Sequence, residues 1–198
     1  MKNDKIYGVG FLGEESHIRS NQKCYDMWRG MLRRCYDEKS WLKEPSYKEC
    51  SVCEEWYNYT NFKKWYEENY YEIPNERMCL DKDILVKNNK IYSPITCCIC
   101  PARINSIFKN TKKNKYGFVG ININKHIGKN GNIYISYVSR VNSGTKRISK
   151  YFKTKEKAFK DYKIRKEQEI KQVADEYKNI IPKKVYDAIY NYKIEIND

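Results

Sequence analysis

The hydrophobic period of this chain changes near residue 116, and that change constrains the fold more than any other feature of the sequence. Ahead of it, between Asn21 and Tyr36, apolar side chains recur at Tyr25, Trp28, Met31, Leu32 and Cys35, the spacing of one helix face. Arg29, Arg33 and Arg34 fall on the opposite face. Beyond it, residues 118–124 alternate, Ile121 and Ile123 pointing one way and Asn122 and Asn124 the other, as in a half-covered strand. A period of 3.6 and a period of 2 need separate elements. The chain therefore reads as α+β, with a largely helical N-terminal domain at 1–110, a three-stranded sheet packed on one helix at 115–178, and a C-terminal helix at 179–198. Residues 110–115, polar and Lys-rich, read as the linker.

Local signals fill in both parts. Thr60 or Asn61 is expected to cap a second helix holding Phe62, Trp65 and Tyr66 inside, and Ile73-Pro74 to end it, because proline disfavours helix in the residue before it. In the second part, the Gly- and Asn-rich residues 125–132 turn the chain, 133–141 form a second strand and 146–153 a third. Thr154 then caps a helix reaching about Tyr177, with Ala158, Phe159, Tyr162, Ile170, Val173 and Ala174 apolar. Val185, Ala188, Ile189 and Tyr192 mark the apolar face of the last helix. One helix covers one face of a sheet. On or around the other face the pattern puts Asn122, Asn124, Ser136, Arg140, Lys146, Arg147 and Lys150, a footprint suited to the major groove of double-stranded DNA.

Charge points the same way. Lys and Arg number 39 against 25 Asp and Glu, a formal +14, next to sheet-forming segments rather than in a tail. Such a field suits polyphosphate. The first residues lead into no apolar run of signal-peptide length, and no window approaches a membrane span, so a cytoplasmic protein without a membrane partner is expected. In that compartment eight cysteines are not expected to form disulfides. Two C-x-x-C steps, Cys50 with Cys53 and Cys97 with Cys100, supply four soft ligands of the kind a structural Zn²⁺ needs. The alternative is that Cys97, Cys98 and Cys100 are small buried fillers, as Cys24, Cys35 and Cys79 are expected to be.

Residues 79–105 run from Leu80-Asp81-Lys82-Asp83-Ile84 through the loop Lys87-Asn88-Asn89-Lys90 and Tyr92-Ser93-Pro94 to a short helix carrying Asn105. This order resembles the HNH, or His-Me finger, endonuclease motif, in which two strands and a helix clamp one divalent cation. The resemblance implies Asp81 and Asn105 as ligands to Mg²⁺ or Mn²⁺. It puts Lys82 in the place of the general-base His, with Asp83 beside it. Lys82 would serve as a base only with its pKa lowered by burial or a neighbouring cation. The two histidines, His17 and His126, lie outside the motif.

The second part resembles the APETALA, or ethylene-response-factor-type, DNA-binding domain found fused to HNH nucleases of phages and mobile elements. Gly117-Phe118-Val119-Gly120, Tyr134 in the place of a usual Trp, Tyr151-Phe152-Lys153-Thr154 and the helix from Glu156 to Tyr162 carry the likeness, with Ser149-Lys150 where a Leu-Gly pair is common. In that family the sheet enters the major groove while the helix backs it. Together the resemblances imply a phage-type double-stranded DNA-binding protein on an endonuclease frame, in a host cytoplasm. Two activities follow from them: metal-dependent nicking or cutting, or a catalytically inactive DNA- or protein-binding factor. Such a factor would regulate, or inhibit a host defence nuclease complex through a host or phage protein.

Overall fold

Asn21 starts the first helix by accepting a hydrogen bond from the amide of Cys24 at 3.1 Å, so α1 runs Gln22–Tyr36 and buries Cys24, Trp28, Met31, Leu32 and Cys35. The computed structural model describes residues 5–14, 21–108, 117–143 and 146–196. Its chain divides into two compact units, Met1–Ala102 and Arg103–Asp198. The expected linker at 110–115 and the turn residues Gly144 and Thr145 lie outside the described residues.

In the first unit a short helix, α2 (Glu38–Lys43), follows α1 directly, capped by Asp37. Six residues are too few to show a period, which is why the pattern missed it. A two-residue strand, β1 (Ser51–Val52), precedes α3 (Tyr59–Asn69). Asn58, not Thr60 or Asn61, caps α3 by accepting from the Thr60 amide at 3.0 Å. The Thr60 hydroxyl instead donates to the Leu12 carbonyl at 3.1 Å, tying the N-terminal segment to this helix. α3 also stops at Asn69, short of Ile73-Pro74.

Three short strands then close the unit: β2 (Met78–Asp81), β3 (Ile91–Tyr92) and β4 (Cys98–Pro101). β1 pairs in parallel with β3, and β2 pairs antiparallel with β4. The core lies between α1 and α3, where Trp28, Trp56, Tyr59 and Phe62 are fully buried. Trp28 Nε1 donates to the Trp56 carbonyl at 2.7 Å, and the Trp56 ring meets Phe62 edge-on at 5.0 Å between centroids.

Helix α4 (Ala102–Ile107) leads into the second unit. There β5 (Ile121–Ile127), β6 (Ile133–Ser143) and β7 (Lys146–Phe152) form an antiparallel sheet in that order, and α5 (Lys155–Glu176) covers it. The register runs unbroken, from Ile121 opposite Ser139 to Ile127 opposite Ile133, and from Tyr137 opposite Phe152 to Ser143 opposite Lys146. β5 and β6 end later than their pattern showed, which confines the first turn to residues 128–132, while β7 stops one residue short of its expected end. Thr154 caps α5 by accepting from the Lys157 amide.

Gly120, at a φ of +65°, enters the sheet directly beneath Tyr162 of α5. A Cβ there would stand 2.1 Å from the ring. Behind the sheet α6 (Lys183–Tyr190) packs on α5 through buried Val185 and Ile189, while Tyr192 lies past its end with its ring 4.7 Å from that of Phe108. Among the described residues no helix is long and apolar enough to cross a membrane.

Candidate functional site

Asp81 ends β2, and its side chain immediately reverses the chain. Oδ1 accepts from the amides of Asp83 and Ile84, each at 2.8 Å, a local turn of the kind that short Asx side chains make. The carboxyl is buried, and burial together with the neighbouring Asp83 carboxylate pushes its pKa up to about 6. One oxygen is thus committed to the backbone.

Lys82 is also buried, only 7% exposed. Its ammonium donates to Asp83 Oδ2 at 3.0 Å and to the Asn89 carbonyl at 3.1 Å. Burial opposes the charge, but the attraction and hydrogen bond of Asp83 outweigh it, so its pKa is raised. A lysine that holds its proton more tightly than usual is no proton acceptor at neutral pH. Asn89 completes the loop: its amide donates to the Lys82 carbonyl at 2.7 Å and to the Ile91 carbonyl at 2.6 Å. Asn105 stands half-buried on α4, on the second unit's side of the division. His17 lies outside the described residues, and His126 is exposed on β5.

The cysteines take two different placements. Cys50 and Cys53 flank β1, Cys50 donating its thiol proton to the Ser46 carbonyl at 3.6 Å. Cys97 directly precedes β4, and Cys98 and Cys100 lie within it, so the second C-x-x-C is largely strand rather than knuckle. The pairing of β2 with β4 sets Cys79 opposite Cys100 and Asp81 opposite Cys98. Burial holds the Cys97 thiol well above its usual range. Cys100 is raised likewise, by its hydrogen bond with Cys98 first and burial next. Among the described residues, no three His, Cys, Asp or Glu side chains form a group that could hold a metal ion.

Opposed residues of an antiparallel pair share a face, and neighbours along a strand alternate, so the register sorts the sheet residues. One face meets α5. Ser139 bonds to Asp161 there, and Arg165 reaches Asp161 Oδ2 at 2.6 Å. Lys150, opposite Ser139, belongs to this face, with its ammonium 3.3 Å from Asp161 Oδ1. Its expected place in the groove-facing footprint is therefore not where the strand puts it, because the third strand keeps register without a bulge. Burial pushes the Asp161 carboxyl up, but hydrogen bonds from Ser139 and Arg165 overcome this and leave its pKa lowered.

The other face carries Asn122, Asn124, Ser136, Arg140 and Arg147. The side chain of Lys146 lies outside what is described. His126, Tyr134, Ser149 and Tyr151 join this face, Tyr134 53% and Tyr151 64% exposed, while Val138 at its centre is fully buried. Tyr134 was missed because β6 lacks a clean alternation, and Tyr151 on β7 because its face follows from its partner Val138 on β6. The signal was the pairing itself, which places Tyr134 beside His126 and Tyr151 beside Val138. No family model, curated protein or solved structure matches the chain.

Proposed function

We propose that this protein binds double-stranded DNA through the face of the β5–β7 sheet turned away from α5, and that residues 79–105 grip rather than hydrolyse. The observation that carries this reading is the co-facial set Asn122, Asn124, Ser136, Arg140 and Arg147, flanked by exposed Tyr134 and Tyr151. Asparagine pairs in two-point fashion with adenine and arginine with guanine in the major groove, and a small antiparallel sheet is narrow enough to enter it. The excess of 39 basic over 25 acidic residues supplies the sequence-independent part of the affinity. Against hydrolysis stand the backbone-bound carboxylate of Asp81 and the firmly protonated Lys82.

Fluorescence anisotropy with a labelled duplex over a series of salt concentrations tests the interface. Arg140→Ala and Arg147→Ala should each weaken binding, and a side chain that neutralised one phosphate should reduce the salt slope by about 1 when removed. Lys150→Ala should do markedly less, since that ammonium faces Asp161. Equal losses at Lys150 and Arg147 would refute the assignment of faces. Supercoiled plasmid kept with the protein in Mg²⁺ or Mn²⁺ should stay intact. Nicking that disappears in both Asp81→Ala and Asn105→Ala would instead establish an endonuclease.

A further inference from the structure

We propose that Arg34, Lys82 and Tyr92 form a separate anion site in the first unit, built to take a phosphate group. Arg34 lies in the last turn of α1, half-buried at the edge of the helix's packed face rather than opposite it with Arg29 and Arg33, as the spacing suggested. Its guanidinium carbon stands 5.6 Å from the ring centre of Tyr47 and 5.5 Å from that of Tyr92, wedged between the two aromatics. Its Nε donates to the Tyr92 hydroxyl at 3.2 Å. Among the described residues no carboxylate pairs with it.

A guanidinium packed between aromatic rings ordinarily finds a carboxylate as well, because a desolvated charge left without one is strongly destabilising. Here aromatic faces and one phenol take that place. Both Nη groups remain as donors. Gly30, one turn earlier on α1, leaves the side of Nη1 without a side chain: a Cβ at Gly30 would be 3.8 Å from it.

Lys82 adds a second cation to the same aromatic ring, its ammonium 5.9 Å from the centre of Tyr92. The Tyr92 hydroxyl accepts from Arg34 and is itself turned toward Tyr47, so Tyr92 serves as the ring on which both cations rest. The other titratable groups facing this cluster do not supply a compensating anion to Arg34. Asp83 is engaged by Lys82, burial pushes the Cys35 thiol up to about 12, and burial raises the Tyr47 and Tyr92 phenols as well. A guanidinium fork and an ammonium at the same aromatic ring match a tetrahedral oxyanion with several acceptor oxygens better than a planar carboxylate. The source is either a phosphodiester of a nucleic-acid backbone or a free phosphate. The site stands independently of the sheet interface, since every residue in it belongs to the first unit.

Calorimetric titration of the full-length protein with inorganic phosphate, against chloride at equal ionic strength, reads the site directly. Saturable heat is expected, with affinity reduced about tenfold in Arg34→Gln and less in Tyr92→Phe. Lys183→Ala, at an exposed ion pair of α6, should leave it unchanged. Where Arg34→Gln fails to fold, Arg34→Lys keeps the charge but loses the fork and should bind measurably more weakly. No saturable heat in the wild type, or equal affinity in the folded Arg34 variants, would overturn the proposal. Competition by a dinucleoside monophosphate assigns the site to a nucleic-acid backbone, whereas phosphate binding that the diester does not displace assigns it to a free phosphate. If the sheet variants keep duplex binding while phosphate titrates normally, the sheet reading fails and this site stands; if they lose it while the wild type gives no saturable heat with phosphate, this site fails and the sheet reading stands.

Discussion

Asp81 and Lys82 are adjacent, yet burial acts on them in opposite ways. The carboxyl loses solvent and gains a like-charged neighbour, so its pKa rises; the ammonium loses the same solvent but gains that neighbour as a partner. A carboxyl whose folded pKa of about 6 exceeds its ordinary 3.8 takes up a proton on folding between those values. Stability should therefore rise as pH falls from 7 through 6 and level off near the unfolded value, by about 1–3 kcal/mol. Asp81→Asn keeps an acceptor oxygen for the amides of Asp83 and Ile84 while removing the titration. Urea unfolding at pH 4.5 and 7 should show the wild type losing stability toward neutrality relative to this variant. Parallel curves would refute the assignment. None of this could be read from Leu80-Asp81-Lys82-Asp83. Whether the carboxylate faces outward or caps its own backbone depends on how Asn89 closes the loop several residues later.

Elements with a long period were legible, and elements built from a few residues were not. α1, α5 and the order of three strands could be read from spacing and, for α5, from the Thr154 cap, because each repeats its signal over many residues. α2, β1, β3 and β4 are too short for any period, and β4 hid inside a run of cysteines whose spacing suggested ligands. The entry to the sheet gives this scale its test. Gly120→Ala puts a methyl group into the Tyr162 ring and holds an alanine at positive φ. A loss of about 3 kcal/mol or more is expected, about 1–3 from the backbone alone. Gly120→Ala with Tyr162→Ala should cost less than the sum of the single changes, since the second removes the obstruction. Strict additivity in denaturant melts would mean that the ring yields freely.

Across the whole molecule, the eight cysteines report on packing as a set. All are free thiols, six of them buried, with Cys53 and Cys79 half-exposed. A mild thiol reagent should modify those two in the native protein and the remaining six only after denaturant, because buried thiols are inert. Four fast thiols would contradict the packing, and a zinc ion on Cys50, Cys53, Cys97 and Cys100 would leave Cys79 alone in the fast class. The change of period announced two differently built halves, but not which face of the sheet each basic side chain would occupy. Lys150 and Arg147 are three residues apart and end on opposite faces, a distinction that belongs to register rather than to composition. The close approach of Gly120 to Tyr162 carries a consequence over evolutionary time. In sequences descended from a common ancestor, position 120 should stay glycine for as long as position 162 stays aromatic. A lineage that gained a side chain at the first would have to shrink the second, so the two positions should drift as one.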